Sequence, residues 1–216
     1  MGLLGLVLVC ATVLVVFVSL LDWFLREALS MAPLHPLIRV CLAGYGEKRA
    51  RAVLDMLPFR PKSLLDFGGG HGAMASALRG RGVDAVVCDL DERRCLYPQW
   101  FLKNDTNRVS LDISDGAFDV VTCVLCLHHI EAAQQLRLIR EFLRVGRGGC
   151  LIVEEEPGMA AWCRLTNGNL LRETTRWHRS SEEWERLLNV DAWTKWPFSP
   201  QAFCLYVTPE ADVQPL

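Results

Sequence analysis

The sequence has no surplus of either charge. Its 23 Lys and Arg stand against 25 Asp and Glu, leaving −2 over 216 residues. No basic field is available to hold a polyanion, so nucleic acid is not expected as a partner. No internal repeat is visible, which excludes solenoids and propellers, and no low-complexity tract is present. The composition of a disordered chain is missing too: hydrophobic residues make up 51% and charged residues only 22%. The nine cysteines are odd in number and irregularly spaced. That excludes a secreted disulfide scaffold and points to a reducing compartment. Cys123-x-x-Cys126 has no second cysteine pair at zinc spacing, so no metal is expected. The length suits one domain with a proper core and is short for two.

Charge is also absent from Leu3 to Leu21, where 14 of 19 residues are Leu, Val or Phe. As a helix this run would span about 28 Å, close to the hydrocarbon thickness of a bilayer. No Lys or Arg precedes it, whereas Arg26, Arg39, Lys48, Arg49 and Arg51 follow. The expectation is an uncleaved single-pass anchor with the body in the cytosol. Gly2 is not expected to be myristoylated, because Leu6 stands where Ser or Thr is needed. The chain then divides into an anchor and juxtamembrane segment (1–32), a connecting helix (33–60) and a globular domain (61–216).

The body alternates strand and helix patterns. Strands are expected at Ser63–Phe67, Asp84–Cys88, Val109–Leu111, Phe118–Leu125 and Cys150–Val153. Helices are expected at Leu37–Leu57, Ala73–Arg79, Asp91–Leu102, Glu131–Val145 and Ser181–Leu188, the last with a Ser-Ser-Glu-Glu capping signal. Val190–Trp196 and Phe203–Thr208 are close enough for an antiparallel pair. The fold class is therefore α/β: a doubly wound, mainly parallel seven-stranded sheet with an antiparallel edge hairpin.

Between the first strand and the next helix lies Asp66-Phe-Gly-Gly-Gly-His-Gly72. Glycines there let the backbone approach a ligand, and in a doubly wound sheet this is where a nucleoside-containing cofactor sits. An acid ending the second strand can hold a ribose diol; Asp89 is in place, with Asp91 two residues on. Gly68-x-Gly70-x-x-Ala73 also fits a dinucleotide fingerprint, hence an NAD-dependent oxidoreductase. Asp66 argues against that, because a carboxylate there would repel a pyrophosphate yet can receive an ammonium.

Five segments in order resemble the class I, seven-strand S-adenosylmethionine-dependent methyltransferases, in particular their small type 11-like domains. They are residues 65–72 (Leu-Asp-Phe-Gly-Gly-Gly-His-Gly), Val87-Cys-Asp-Leu90, the stretch 111–121, Leu125-Cys-Leu-His-His-Ile130 and the stretch 139–153. The resemblance covers roughly 61–208. Gly146-Arg147-Gly148 replaces the usual Lys-Pro before Gly-Gly. By this resemblance S-adenosyl-L-methionine is the cofactor. Asp66, Gly68, Gly70 and Gly72 line its methionine part, Asp89 binds ribose and Leu90 flanks adenine. Asp105 or Asn107 is the adenine-side residue in a short loop before strand four, and Leu125 and Cys126 lie near the sulfonium. His128 and His129 face the substrate or brace the loop, and are the candidate catalytic residues. Asp119 is expected to fix the start of its strand. Glu154, Glu155 and Glu156 meet the substrate or form a solvated cluster.

The expected function is methyl transfer by a membrane-anchored enzyme to a lipophilic small molecule or lipid, with a non-catalytic cofactor-binding scaffold as the rival. Anchoring favours such acceptors because they concentrate in the bilayer.

Overall fold

The computed structural model describes residues 34–104, 110–157, 177–190, 193–199, 201–211 and 213. Leu3–Leu21, Asp105 and Asn107 lie outside the described residues. Among those described, no helix is long and apolar enough to cross a membrane.

Among the described residues eleven principal elements follow one another: α1 (His35–Met56), β1 (Ser63–Phe67), α2 (Ala73–Arg79), β2 (Asp84–Asp89), β3 (Phe101–Lys103), β4 (Val120–Val124), α3 (Ala132–Val145), β5 (Cys150–Glu155), α4 (Ser181–Leu188), β6 (Thr194–Lys195) and β7 (Ala202–Val207), with short 3-10 turns between some of them. The strands form one sheet in the order β3-β2-β1-β4-β5-β7-β6. Strands β3 to β5 run parallel, while β7 pairs antiparallel with both β5 and β6. The doubly wound sheet and its antiparallel edge are thus present.

Both faces of the sheet are covered, which is why its strands read as continuous apolar runs. Alternation along β1 sends Leu64 to one face and Leu65 to the other. Leu64 joins Ala50 and Val53 of α1, Ala75 and Leu78 of α2, and Val120. Leu65 joins Leu136, Ile139 and Phe142 of α3, and Trp184 and Leu188 of α4. Asp119 fixes the start of β1 and β4: its Oδ2 accepts the Lys62 and Ser63 N–H groups at 2.6 and 3.0 Å, and Arg147 pairs with Oδ1 at 3.0 Å. The Ser180 hydroxyl and Glu183 form the capping box that starts α4.

Two expectations fail together. Residues 91–102 form no α-helix but two 3-10 turns, Glu92–Arg94 and Pro98–Trp100. Pro98 lacks an N–H and cannot sit inside a helix, and the Asp91 carboxylate caps the first turn by accepting the Arg93 N–H. The third strand accordingly lies at Phe101–Lys103, against β2, and not at Val109–Leu111. The connection to β4 therefore runs from 104 to 119 and is long, not short.

Candidate active site

The carboxyl ends of β1, β2 and β4 converge where the strand order reverses direction about β1, the ligand crevice of doubly wound sheets. A cleft of about 500 Å³ opens there, walled by Leu42, Tyr45 and Arg49 of α1, by Asp66 and the glycine loop, and by Leu125. A depression of similar volume around Arg60, Lys62 and Arg147 lies at the amino ends of the strands, the wrong end for such a crevice.

Asp66, the last residue but one of β1, lies inside the protein and is 2% exposed. Its Oδ1 accepts a long 3.4 Å hydrogen bond from the Thr122 hydroxyl, and its Oδ2 is buried without a partner. Burial lifts its pKa from 3.8 to about 7, against the opposing pull of Arg49 and Thr122. His71, in the glycine loop, also has a buried ring nitrogen, Nε2, without a partner. Burial and the nearby Arg94 guanidinium hold its pKa below the ordinary histidine value.

The glycine loop needs its glycines for different reasons. A Cβ on Gly68 would lie 2.3 Å from the Cys126 sulfur, so the loop packs directly on the segment after β4. Gly70 has φ +52° and nothing within 4 Å of a Cβ, so its missing side chain leaves open space in the cleft. We expect Gly70→Ala to cost about 1 kcal/mol of stability through its left-handed backbone. Cofactor affinity should fall by roughly tenfold, equivalent to about 1.4 kcal/mol. Unfolding curves and equilibrium dialysis measure the two effects separately.

Asp89 ends β2 and ties the crevice together: Oδ2 accepts the Gly70 N–H at 2.8 Å and Oδ1 the Leu90 N–H at 2.6 Å. Each oxygen keeps a lone pair for a hydroxyl. Leu90 is exposed beside it. Asp91 is instead engaged by Arg93 through contacts of 2.8 and 2.9 Å. The structure therefore favours Asp89 over Asp91. Asp89→Ala should weaken cofactor binding by about 1.5–3 kcal/mol, the range for hydrogen bonds to a charged group. Asp91→Ala should leave it nearly unchanged, and calorimetry of the two variants would expose a register error.

After β4 the chain turns sharply. Leu125 adopts φ +56°, a strained conformation for a leucine, while its N–H donates to Val153 at 2.8 Å. Half-buried Cys126 follows, then a 3-10 turn, Leu127–His129. Buried Glu154, at the end of β5, organises this turn. Its Oε1 accepts the Cys126 and Leu127 N–H groups at 3.1 and 2.7 Å, and its Oε2 lies 2.7 Å from His128 Nδ1. His128 is stacked on His178, with ring centroids 4.6 Å apart, and packs at 4.2 Å against His129. Burial opposes protonation of His128, yet the Glu154 hydrogen bond and charge prevail and hold its pKa above the ordinary value.

The structure thus brings Asp66, Gly68, Gly70 and Leu125 into one cleft, with Asp89 bonded to its glycine loop. It sets Cys126, His128 and His129 in the turn next to it. Sequence reasoning assigned no site role to Arg49, His71 or His178, and it left Glu154 undecided between substrate and solvent. The glutamate is in fact a buried brace. Its 26-residue separation from His128 hides the pairing, and only the β4–β5 register reveals it. Among the described residues, no group of His, Cys, Asp and Glu is arranged to hold a metal.

The crevice thus holds an unpartnered buried acid, an open glycine loop and an acid at the end of the second strand. Residues 42–207 match a family model described as a methyltransferase domain. The chain belongs to that family and carries a methyltransferase domain. Compared with curated proteins, the sequence matches none. Among solved structures it is similar to an O-methyltransferase family protein from Burkholderia thailandensis, with TM-score 0.57 and 18% identity over 81% of this chain and 59% of that one. It is also similar to human N-acetylserotonin methyltransferase, solved in complex with S-adenosylmethionine, with TM-score 0.55 and 16% identity over 85% and 59% of the two chains. A third, a methyltransferase from Archaeoglobus fulgidus, gives 0.55 and 14% over 71% and 70%. The chain thus spans 59% of the Burkholderia and human proteins, and these likenesses describe the fold.

The residues fit the cofactor on the structure's own terms. Asp66 Oδ2 lacks a partner where an ammonium would supply one, Gly70 leaves space for a ligand, and Asp89 retains acceptor capacity.

Proposed function

We propose that this methyltransferase is anchored to a membrane by Leu3–Leu21, with its body cytosolic, and methylates a hydroxyl or thiol of a lipophilic small molecule or lipid, with His128 as proton acceptor. Bound S-adenosylmethionine supplies an activated methyl group on a sulfonium. Asp66 holds the ammonium, the loop from Gly68 to Gly72 cradles the chain beside it, and Asp89 holds the ribose. Glu154 fixes the His128 ring through Nδ1, which leaves Nε2 to take the proton from the acceptor.

The observation that carries this reading is the buried 2.7 Å His128–Glu154 contact at the carboxyl ends of β4 and β5. A purely structural histidine would not need a carboxylate aimed at one nitrogen and two backbone N–H groups bracing that carboxylate. Because Glu154 raises its pKa, His128 becomes a competent base only above the ordinary histidine range, so turnover should climb with pH through that raised value.

The test is transfer of a labelled methyl group in membranes containing the full chain, with mass analysis of the products. His128→Ala should lower transfer by about 10²–10⁴-fold, the usual contribution of a general base, and leave cofactor affinity intact. Transfer unchanged in His128→Ala would overturn the base assignment. Cofactor binding without any transfer would favour the scaffold. Extraction at alkaline pH tests the anchor.

A further inference from the structure

The first half of α1 is exposed on a face that a packed helix would bury. Leu37 is 65% exposed and Val40 75%, and Cys41 and Gly44 are exposed beside them. Positions 37, 40, 41 and 44 follow helical spacing and form one stripe. Lys48 and Arg51, both exposed, continue the same face. The axial distance from Val40 to Lys48 is about 12 Å at 1.5 Å per residue. Along one face, the helix therefore changes from apolar to cationic within about two turns.

No other charge lies on this face between Leu37 and Arg51, and exposed Asp55 follows one turn beyond Arg51. Residues 34–46 include no acid. Arg39, their single charge, donates to the Leu96 carbonyl at 2.9 Å and lies over the Tyr97 ring. Glu47, at the margin, is paired with Arg81 and Arg51. The sequence leading into α1 is uncharged from Ala28 to Ile38, and the apolar Leu3–Leu21 run lies upstream.

We infer that this stripe is a membrane-contact surface for a bilayer containing anionic lipid: Leu37, Val40, Cys41 and Gly44 rest in the acyl–headgroup boundary, and Lys48 and Arg51 meet lipid phosphates. A second copy suits the face poorly. Parallel pairing would set cations against cations, and antiparallel pairing would set them against apolar turns. The flank of the same helix carries Leu42, Tyr45 and Arg49, which wall the cofactor cleft. The cleft mouth then lies about one helix diameter, ~10 Å, from the lipid, and a lipophilic acceptor reaches it without crossing water. This access route rests on the methyltransferase reading; the contact surface itself does not.

The full chain is placed in vesicles of four parts phosphatidylcholine to one part phosphatidylserine. Exposed Cys41 carries a nitrobenzoxadiazole fluorophore, and Cys41→Ala treated identically supplies the blank. Lipid brominated high on its acyl chains should quench Cys41 fluorescence. In a Leu37→Glu/Val40→Glu variant, quenching should fall by roughly twofold or more, because the buried apolar area that seats the helix is lost. Cofactor binding by equilibrium dialysis should be the same in both proteins. Unquenched fluorescence, or equal quenching in the double variant, overturns the inference. A blue-shifted signal that bromine does not quench and that survives in detergent also overturns it, because residues 1–33 would then cover the stripe. Energy transfer between labelled copies would overturn it in favour of a dimer. Absence of cofactor binding in both proteins would strike the methyltransferase reading and leave the contact surface standing.

Discussion

Asp66→Asn should weaken S-adenosylmethionine binding by at least about tenfold and, at alkaline pH, make the cofactor-free protein more stable. Both effects come from one buried carboxylate whose Oδ2 has no partner. Burial lifts its pKa from 3.8 to about 7, so between those values the folded protein holds a proton that the unfolded chain has released. Stability from this group is therefore full below about pH 4 and is lost as the pH rises through 7. At 1.36 kcal/mol per pH unit the loss approaches about 4 kcal/mol. The amide in Asp66→Asn removes that loss but introduces a buried NH₂ costing about 1–3 kcal/mol. A net gain of about 1–3 kcal/mol at pH 8 follows, with no gain near pH 4. Unfolding at the two pH values measures it. Unchanged affinity in Asp66→Asn would refute the site. The wild-type protein should also release a proton when the cofactor binds near neutral pH, because the ammonium requires Asp66 ionised.

Glu154→Ala should be the most damaging single substitution in the turn after β4. It leaves the Cys126 and Leu127 N–H groups and His128 Nδ1 without their acceptor. Breaking a buried pair of this kind costs about 3–5 kcal/mol, a large part of the 5–15 kcal/mol that stabilises a typical domain. Glu154→Gln keeps one acceptor oxygen and should cost less, so it serves for titration. In that variant the His128 pKa should fall, because burial then acts without the opposing charge. The sign of the stability difference follows. A raised histidine pKa gives stability that is present below the unfolded value of about 6.5 and is lost as the pH rises through the folded value. Wild type and Glu154→Gln should therefore differ most in mild acid and converge in alkali. A proton NMR titration of the imidazole would decide it, and an unmoved His128 resonance would mean that the carboxylate does not control the ring.

The readable parts of the sequence were those governed by one dominant force. β1 and α2 fall where the apolar run and the flanking glycines put them, because strands covered on both faces can be only continuous apolar segments. α4 was legible from its cap alone. The 91–102 region misled because its apolar residues are spaced as in a helix, while Pro98 and the Asp91 side chain impose 3-10 turns locally. That error displaced the third strand and shortened the expected loop before β4. At the site, the residues with contiguous motifs, Asp66 to Gly72 and Asp89, were visible. Glu154 was not, since three adjacent glutamates look like a solvated cluster until the sheet register turns the first inward and the His128 ring meets it.

The position of β7 has a consequence for how the chain is made. Among the described residues it is the last strand, yet it lies inside the sheet, paired through six residue pairs to β5, and it contributes Phe203, Leu205 and Val207 to the core. While the ribosome still holds the C-terminal segment, β5 is an open edge with its apolar side chains uncovered, the kind of surface that recruits foreign strands. Closure of the sheet must therefore wait until β7 has left the ribosome, and a nascent chain stalled before residue 202 is the form most in need of a chaperone.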